Sequence, residues 1–330
     1  MNYGERIATE TVKWMTRDPK ALILGVGVKD EKGIFGTTKL ANDVFPDRVI
    51  ETPLSENMLT GALVGLAQAG WHPLLVHARS DFMTLSMEHI VNSIAKWGYM
   101  GGEQLQVGIR CIIGQGWGNG PQHTQSTAHW FTGVPGVATW MPATGDGWKD
   151  ALGDIKNNPV LIYEHRKLYE VDAATPNFAS FGDQGENARI LFIAYSAAFT
   201  ETCNAAKMLW LRRGIPSAVV APEKLSASFS PASDTVELAV VVDVGTQFGG
   251  LSAQASRDIE YMRVRGTLPK LHGSLCVSPP HNPTPASEYL ERQWYPTALE
   301  IANTPLFVMG EKLFDAQESV VNHVPKGGPF

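Results

Sequence analysis

Three side chains occupy positions at which the sequence could support chemistry, although each also has an ordinary structural explanation. Glu56 opens a helical stretch directly after Ser55, where a carboxylate in the first turn also stabilises a helix. His123 lies in PQHTQS after a glycine-rich loop, and loops above the carboxyl ends of a sheet are where α/β proteins bind ligands. Phe82 follows a predicted strand and, taken alone, would normally be a core residue. Taken singly, none of the three identifies a site.

The spacing of metal-ligating residues does not indicate a metal site. His123 and His129 are six residues apart, which matches neither the i+3 nor the i+4 spacing of a helix face. The three cysteines lie far apart, and no CxxC pair suggests zinc. The sequence therefore predicts no metal ligands in this chain.

The segment 144–159 contains GDG followed by NN, the two parts of the loop that holds Mg²⁺ and the diphosphate in thiamine diphosphate enzymes. A hard cation needs Asp and Asn oxygens in octahedral array beside the phosphates. In that loop a whole strand–helix unit separates the two parts, whereas here nine residues lie between Gly147 and Asn157. The sequence therefore predicts that GDG begins a helix and that NN forms the turn before the strand PVLIYE.

Two glycine-containing turns resemble nucleotide-binding loops without completing the motif. In GVGVKDEKG the third glycine of a GxGxxG fingerprint would fall on Asp30, so a plain turn is favoured over a dinucleotide site. GTQFGG, at 245–250, precedes a predicted helix as a phosphate cradle would, but it lacks the Lys-Ser/Thr ending of a P-loop. A turn that lets strand and helix pack closely is the favoured interpretation there.

The elements that must position these residues follow an α/β pattern. Short apolar runs such as ALILGVGV, PLLVHA, QVGIRCII (106–113) and PVLIYE predict strands and alternate with longer amphipathic stretches, among them a predicted helix over 82–97. With 330 residues, the chain is long enough for two domains. One segment, 171–188, lacks periodicity and is rich in Ala, Ser, Gly and Asn. We therefore predict a first domain over residues 1–170, a linker over 171–188 and a smaller α/β domain over 189–330.

Composition disfavours several classes of partner and location. Charged residues are 18%, the net charge is −6 and no run of Lys and Arg occurs, so neither nucleic acid nor an anionic membrane is an expected partner. The first residues resemble an amphipathic helix rather than a signal or transit peptide, and no apolar stretch reaches the length of a membrane span. With only three sparse cysteines, these features predict a cytoplasmic protein. The low charge and nine Trp indicate that some surface does not face water.

The order of several sequence blocks resembles a known family. The chain contains, in sequence, RVIETPLSENMLTGALVGLAQAGWHPLLVHARSDF, MEHIVNSIAKWGYMGG, GPQHTQSTAHWF, PGVATWMPATGDGWKDALGDI, NNPVLIYEHRKLY and VVVDVGTQFGGLSAQ. This series resembles the β subunits of the decarboxylase components of 2-oxo-acid dehydrogenases, those for pyruvate, branched-chain 2-oxo acids or acetoin. The resemblance runs from about Glu5 to about Ile301. It implies a transketolase-like pyrimidine-binding domain, a parallel sheet flanked by helices, followed by a transketolase C-terminal domain.

The resemblance also implies roles for the three candidate side chains. Glu56 matches the glutamate that hydrogen-bonds to the aminopyrimidine of thiamine diphosphate and drives the proton transfer that activates the cofactor. Phe82 matches the aromatic residue that packs on the pyrimidine. His123, in QHTQ, matches the histidine of the family's QHSQ block, which is implicated in handling substrate and in acyl transfer to a lipoyl group.

Partners are implied in the same way. The family binds Mg²⁺ and the diphosphate on a separate α subunit, so the resemblance implies an α₂β₂ heterotetramer with a second β copy. It also implies a small 2-oxo acid as substrate and a lipoyl-bearing acyltransferase as acceptor. Two alternatives stay open: one half of a split transketolase-like enzyme that transfers two-carbon units without a lipoyl partner, and a non-catalytic scaffold subunit. Intact Glu56, Phe82 and His123 disfavour the scaffold.

The chain departs from the family pattern at a few positions. Val26 and Gly27 stand where the family has acidic residues after the first strand, so proton communication between active sites is not expected. Lys156 falls where the family's potassium-binding loop has an Asp, so its ammonium either replaces the cation or marks a missing site. Arg79 places a charge shortly before Phe82. A solvent-facing arginine is favoured there over one that selects an acidic or phosphorylated substrate.

Overall fold

The computed structural model describes residues 1–114, 116–174, 176–182, 188–227 and 233–317, which form two compact units. The first unit holds residues 1–114, 122–174 and 223–226, and the second holds the other described residues. Both units are α/β, as the sequence predicts. None of the helices in these ranges combines the length and the apolar composition that a membrane span requires.

The first unit is built on a parallel sheet of six strands. They are β1 (Ala21–Gly25), β2 (Val49–Glu51), β3 (His72–His77), β4 (Gly108–Ile113), β5 (Ala138–Trp140) and β6 (Val160–His165). They lie in the order β2-β1-β3-β4-β6-β5, and each neighbouring pair is parallel. β1, β4 and β6 are buried along their whole length, which is why their sequences are nearly continuous apolar runs.

Six α-helices belong to the described part of the first unit. They are α1 (Tyr3–Arg17), α2 (Lys39–Val44), α3 (Glu56–Gln68), α4 (Ser80–Met83), α5 (Ala128–Thr132) and α6 (Gly145–Asp154). α1 begins with a capping box, in which the side chains of Asn2 and Glu5 each bond the other's backbone N–H.

The chain after α4 is less regular than the sequence indicates. We predict one helix over 82–97, but the backbone passes through 3₁₀ turns at Thr84–Ser86 and Ile94–Lys96 and a π turn at His89–Ser93. The Thr84 hydroxyl donates to the backbone carbonyl of Asp81 at 2.6 Å, and such local side-chain bonds compete with the helical ladder. The prediction of a single regular helix is therefore wrong.

The connection between strands changes direction beside β1. Because β2 lies on one side of β1 and β3 on the other, the chain makes a topological switch point between β1 and β3. Gly25 ends β1 there, and a Cβ on it would lie 2.5 Å from the carbonyl oxygen of Val76. Crevices of this kind, outside the carboxyl ends of parallel strands, are where open α/β sheets bind ligands.

A buried ion pair ties β4 to β6. Arg110 and Glu164 are both fully buried, and the guanidinium donates to the carboxylate from Nε at 2.9 Å and from Nη2 at 2.7 Å. Tyr169 donates to the same carboxylate, and Arg110 also donates to the Thr37 hydroxyl. Although burial lowers the pKa of Arg110, the adjacent Glu164 and Tyr169 together raise it by more, so the net shift is upward. The Arg110 guanidinium therefore stays charged inside the fold.

The second unit is built on a mixed sheet of five strands. They are β7 (Phe178–Phe181), β8 (Ile190–Ala194), β9 (Ser217–Val220), β10 (Leu238–Val242) and β11 (Gly273–Val277), in the order β11-β10-β8-β9-β7. Among the described strands, β7 alone runs antiparallel to its neighbour. The helices are α7 (Ala198–Arg213), α8 (Leu251–Val264), α9 (Glu288–Arg292) and α10 (Ala298–Met309).

Strand β7 lies inside 171–188, the segment predicted to be a linker. It pairs with β9, so part of that segment is an edge strand of the second unit. Its side chains are exposed or half-buried in alternation, which gives the short sequence FASF no apolar run to indicate a strand. The predicted boundaries of 1–170 and 189–330 stay predictions.

The loop 245–250 before α8 is a close turn, as the sequence predicts. A Cβ on Gly250 would lie 1.9 Å from the carbonyl oxygen of Thr246, so the turn needs glycine at that position. The Asp243 carboxylate accepts hydrogen bonds from the backbone N–H groups of Gly245 at 2.9 Å and Ser252 at 3.3 Å. A carboxylate of the chain itself therefore lies at the N-terminus of α8, which disfavours a phosphate there.

Replacing Arg110 with methionine should lower the free energy of unfolding by about 3–5 kcal/mol, because Glu164 is left as an uncompensated buried charge. The double variant Arg110→Met/Glu164→Leu should be more stable than the single variant. Urea unfolding followed by circular dichroism measures both, with Arg263→Met, in an exposed pair with Glu260, as the control. Equal losses in Arg110→Met and in the control would contradict the prediction.

Asp243 should make the stability of the second unit depend on pH. Burial raises its pKa to about 6, although backbone hydrogen bonds lower it in part. Since this value exceeds the unfolded value of about 3.9, the stabilisation is complete at low pH and is lost as the pH rises through 6. Between pH 5 and 8 the parent should lose about 1 kcal/mol relative to Asp243→Asn. Urea unfolding at both pH values measures the difference, and identical pH profiles would refute it.

Candidate functional site

Glu56 is the first residue of α3, and its backbone is held firmly. The Ser86 hydroxyl donates to its carbonyl oxygen at 2.9 Å, and the Thr60 hydroxyl lies 2.8 Å from that oxygen and 2.9 Å from Ser86 Oγ. Ser55 occupies the N-cap position without a side-chain capping bond. In the described part of the chain, the half-buried Glu56 carboxylate has no hydrogen-bond or ion-pair partner. It is therefore available to a ligand.

Phe82 and His123 bring their rings together at the same edge of the sheet. α4 carries Phe82 after β3, and an irregular loop after β4 carries His123. The ring centroids are 5.5 Å apart and the planes are perpendicular, an edge-to-face contact. Phe82 is half-buried and His123 is exposed. The structure thus joins two of the three candidates directly and links Glu56 to the segment after Phe82 through Ser86.

Three further residues, Ser80, Asp81 and Gln125, connect the segments that carry these rings. Gln125 donates from Nε2 to Asp81 Oδ1 at 2.8 Å, and its backbone N–H reaches the same oxygen at 3.3 Å. The Ser80 hydroxyl donates to the carbonyl oxygen of Gln125 at 2.6 Å. No local pattern in the sequence indicates this contact, since the partners are more than 40 residues apart. The only signal was the second Gln of QHTQ.

The strand ends beside these loops carry buried titratable groups. Burial lowers the pKa of His77 to about 4, and burial together with Lys167 and Arg79 lowers the pKa of His165 to about 3. Burial also raises the pKa of Cys111 well above its usual value. These groups are uncharged near neutral pH, so they do not exchange protons there. The accessible acid–base side chains among the three candidates are Glu56 and His123.

The surroundings of Glu56 suit a flat ring with polar nitrogens. Leu54 and Met58 flank Glu56 in sequence and are 75% and 54% exposed, and Leu85, in the turn after α4, is 62% exposed. An unpartnered carboxylate can hydrogen-bond a ring nitrogen, and the Phe82 ring offers a surface on which such a ring can stack. The residues present therefore fit an aminopyrimidine.

The GDG segment is structural, as the sequence predicts. Thr144 Oγ1 accepts a hydrogen bond from the backbone N–H of Gly147 at 2.9 Å, which caps α6. Glu223 accepts from the backbone N–H groups of Ala143 and Thr144 at 2.9 and 2.8 Å. Over the ranges that the structure describes, no group of three or more His, Cys, Asp or Glu side chains is arranged to hold a metal ion.

The turn after β1 contains Val26 and Gly27 and receives an acidic group from another strand. The Glu51 carboxylate, at the end of β2, accepts hydrogen bonds from the backbone N–H groups of Gly27 at 2.6 Å and Lys29 at 2.9 Å. Nothing in the sequence around Glu51 indicates this role. A carboxylate is therefore present beside the turn, although the turn itself carries none at Val26 or Gly27.

Lys156 and Arg79 differ in their surroundings. Lys156 is exposed in the turn between α6 and β6, and Asn157 and Asn158 donate there to the carbonyl of Asp154. The NN pair thus forms the predicted turn, and both interpretations of Lys156 stay open. Arg79 is half-buried rather than solvent-facing. It adds to the effect of burial in lowering the pKa of Arg166, so its charge lies near the end of β6.

Comparison with known proteins identifies the family to which this chain is similar. Residues 1–171 match the family described as the transketolase pyrimidine-binding domain. The chain is 30% identical over 313 residues to the β subunit of acetoin:2,6-dichlorophenolindophenol oxidoreductase from Cupriavidus necator, covering 87% of this chain and 91% of that one. It is 36% identical over 163 residues to a mitochondrial pyruvate dehydrogenase E1 β subunit from Arabidopsis thaliana, covering 47% and 44% of the two chains.

A solved structure supports the fold. The chain of a split-gene transketolase, described as an inactive β4 tetramer, matches with a TM-score of 0.65 at 19% identity and covers 92% of this chain and 96% of that one. At that identity the likeness concerns the fold alone. The sequence matches show that the chain belongs to the transketolase-like family, as a β subunit of the 2-oxo-acid dehydrogenase type.

Proposed function

We propose that this chain is the β subunit of a thiamine diphosphate-dependent 2-oxo-acid dehydrogenase and that it is active only with an α subunit. The observation that carries the proposal is the unpartnered Glu56 carboxylate at the sheet edge that also holds the Phe82–His123 ring pair. Thiamine diphosphate, when bound, supplies the nucleophilic carbon and the electron sink for decarboxylation. The chain supplies the groups around the aminopyrimidine.

Glu56 acts on the aminopyrimidine as a positioned acid–base group. Its carboxylate would hydrogen-bond a ring nitrogen of the aminopyrimidine and hold a proton at that atom, the acid–base role that activation of the cofactor requires. Ser86 and Thr60 fix the Glu56 carbonyl, so only the side-chain torsions remain free. A fixed backbone lowers the entropy that must be lost when the carboxylate engages its partner.

Phe82 and His123 serve different parts of the site. Phe82 offers its half-buried ring as a stacking surface for the pyrimidine. His123 is exposed next to that ring, where it can exchange a proton with the substrate or with an incoming acceptor. We assign to it substrate handling and the transfer of the acyl group to a lipoyl carrier on an acyltransferase.

Exposed apolar side chains near Glu56 support a partner subunit. Leu54, Met58 and Leu85 are each more than half exposed, and covering such side chains gains roughly 25 cal/mol per Å² of apolar surface. In the proposal an α subunit covers this side, holds Mg²⁺ and the diphosphate, and forms a cytoplasmic α₂β₂ assembly with a second β copy. The names of the relatives make pyruvate and acetoin the first substrates to test.

The chain purified alone should show no decarboxylation, and the complex with its co-purified native partner should decarboxylate a 2-oxo acid in the presence of thiamine diphosphate and Mg²⁺. In that complex Glu56→Gln should lower kcat by about 100-fold or more, because the amide cannot exchange the proton. The release of CO₂ from each member of a panel of 2-oxo acids measures both effects.

The matched control is Glu103→Gln, which removes an exposed carboxylate from the same unit and should leave kcat unchanged. Full turnover by the chain alone, or a Glu56→Gln complex as active as the parent, would overturn the proposal. The second result would instead favour the non-catalytic scaffold subunit.

His123→Ala should reduce acyl transfer to a lipoyl domain about 100-fold and reduce oxidation of the same substrate by 2,6-dichlorophenolindophenol much less. The reason is that the small dye needs no proton from a positioned acid. Both rates are measured on one preparation, with the exposed His272→Ala as control. Equal losses in the two assays would refute a separate transfer role. A parent complex that transfers two-carbon units between sugars and never acylates a lipoyl domain would favour the split transketolase-like enzyme.

A further inference from the structure

The position of His123 depends on the loop that carries it. Among the described residues its side chain makes no hydrogen bond, and its imidazole contacts the Phe82 ring edge to face. Residues 121–127 contain neither helix nor strand. A loop of this kind adopts many conformations unless other elements hold it, so the contacts of the loop decide where the imidazole lies.

One residue of this loop is bound to α4 through three separate groups. The side-chain amide and the backbone N–H of Gln125 both donate to Asp81 Oδ1, at 2.8 and 3.3 Å. The carbonyl oxygen of Gln125 accepts from the Ser80 hydroxyl at 2.6 Å. The three bonds end on the first two residues of α4, and Phe82, the ring that His123 contacts, is the next residue of that helix.

Asp81 makes its two bonds from a costly position. Its side chain is 8% exposed, and in the described part of the chain the second carboxylate oxygen has no hydrogen-bond partner. A buried carboxylate without a cationic partner weakens a fold. From its buried position Asp81 holds Gln125 in place. This favours the interpretation that the pair positions the loop.

The other end of the same segment reaches Glu56. Ser86 is fully buried and donates to the Glu56 carbonyl oxygen. Residues 80–86 therefore hold Phe82, bind the first turn of α3 at one end and bind the His123 loop at the other. A single short segment sets the spacing of all three candidate side chains.

We infer that Asp81 and Gln125 form a clasp that positions His123 against Phe82 at a fixed spacing from Glu56. The inference rests on the proposed function. The clasp residues are positioning residues, because they act on the reaction through His123. A misplacement of about 1 Å can reduce turnover by up to about 100-fold, so opening the clasp should lower kcat by about tenfold and change KM by less.

The experiment compares three variants of the full chain. Gln125→Met keeps the length of an exposed side chain and removes its donor. Asp81→Asn keeps an oxygen that accepts both Gln125 bonds and removes the charge. Gln68→Met, on the exposed end of α3, is the matched control. The chain is labelled with ¹³C at the histidine ring, and the His123 signal is assigned by its loss in His123→Asn.

Gln125→Met should move the His123 ring signal toward that of a solvent-exposed histidine and lower kcat of the complex with the native partner about tenfold. Asp81→Asn and Gln68→Met should leave the signal in place and kcat within about twofold of the parent. Ser80→Ala removes the other bond that holds Gln125 on α4 and should move the signal in the same direction, which keeps the test valid if Gln125→Met folds poorly.

Two results would overturn the clasp: an unmoved His123 signal in both Gln125→Met and Ser80→Ala, or an Asp81→Asn variant that shifts the signal as far as Gln125→Met. The ring signal is read on the chain alone and does not depend on turnover. If the parent complex shows no decarboxylation, the proposed function fails, while the ring signal still decides whether the clasp holds His123.

Discussion

Parallel pairing is the constraint on which the first unit depends, because it brings the carboxyl ends of all six strands to one edge of the sheet. The loops after β1 to β4 meet at that edge and are irregular, so their backbone groups need partners other than a strand ladder. Side chains supply these partners: Glu51 for the turn after β1, Ser86 for the start of α3 and Asp81 for the His123 loop. The bonds that satisfy the loops therefore also locate the candidate site.

Charge is buried in two ways, with different consequences. Arg110 and Glu164 neutralise each other between neighbouring strands, so their contact fixes side chains within the core. Within the described residues, Asp81 and Asp243 are buried carboxylates that accept bonds from amide N–H groups and have no cationic partner. Amides compensate a buried charge less completely than a guanidinium does, but they hold backbone in place. Both of these carboxylates lie shortly after the end of a strand, where the position of the backbone matters most.

The sequence predicts the buried elements well and the half-exposed ones poorly. Strand β4 is predicted over 106–113 and found at Gly108–Ile113, because a strand buried on both faces must be a continuous apolar run. Strand β7 and the broken helix after α4 have no such signal. β7 is short, half-exposed and at an edge, and the turns after α4 follow from hydroxyl bonds to backbone carbonyls rather than from periodicity.

The candidate site shows the same limit more sharply. Glu56, Phe82 and His123 each have a structural explanation when taken singly, and only the resemblance of ordered blocks to a family identifies them as a set. The contact between Asp81 and Gln125 spans 44 residues, and no local spacing could indicate it. Residue types indicate which side chains can react. They do not indicate which side chains position the reactive ones, because positioning depends on contacts that form only in the folded chain.

Under the proposed function, the residues around Glu56 form one part of a site that the α subunit completes. Among the described residues the half-buried Glu56 carboxylate has no partner, and Leu54 and Met58 beside it are exposed. Exposed apolar side chains stabilise a protein only when another surface covers them. The chain by itself therefore gains no stability from this arrangement. The low share of charged residues and the nine Trp are consistent with further covered surface. The composition alone is compatible with a covered apolar surface. The exposed side chains around Glu56 indicate where such a surface lies. The residues that would activate a cofactor and the surface that would receive its remaining ligands therefore adjoin each other on one edge of one sheet.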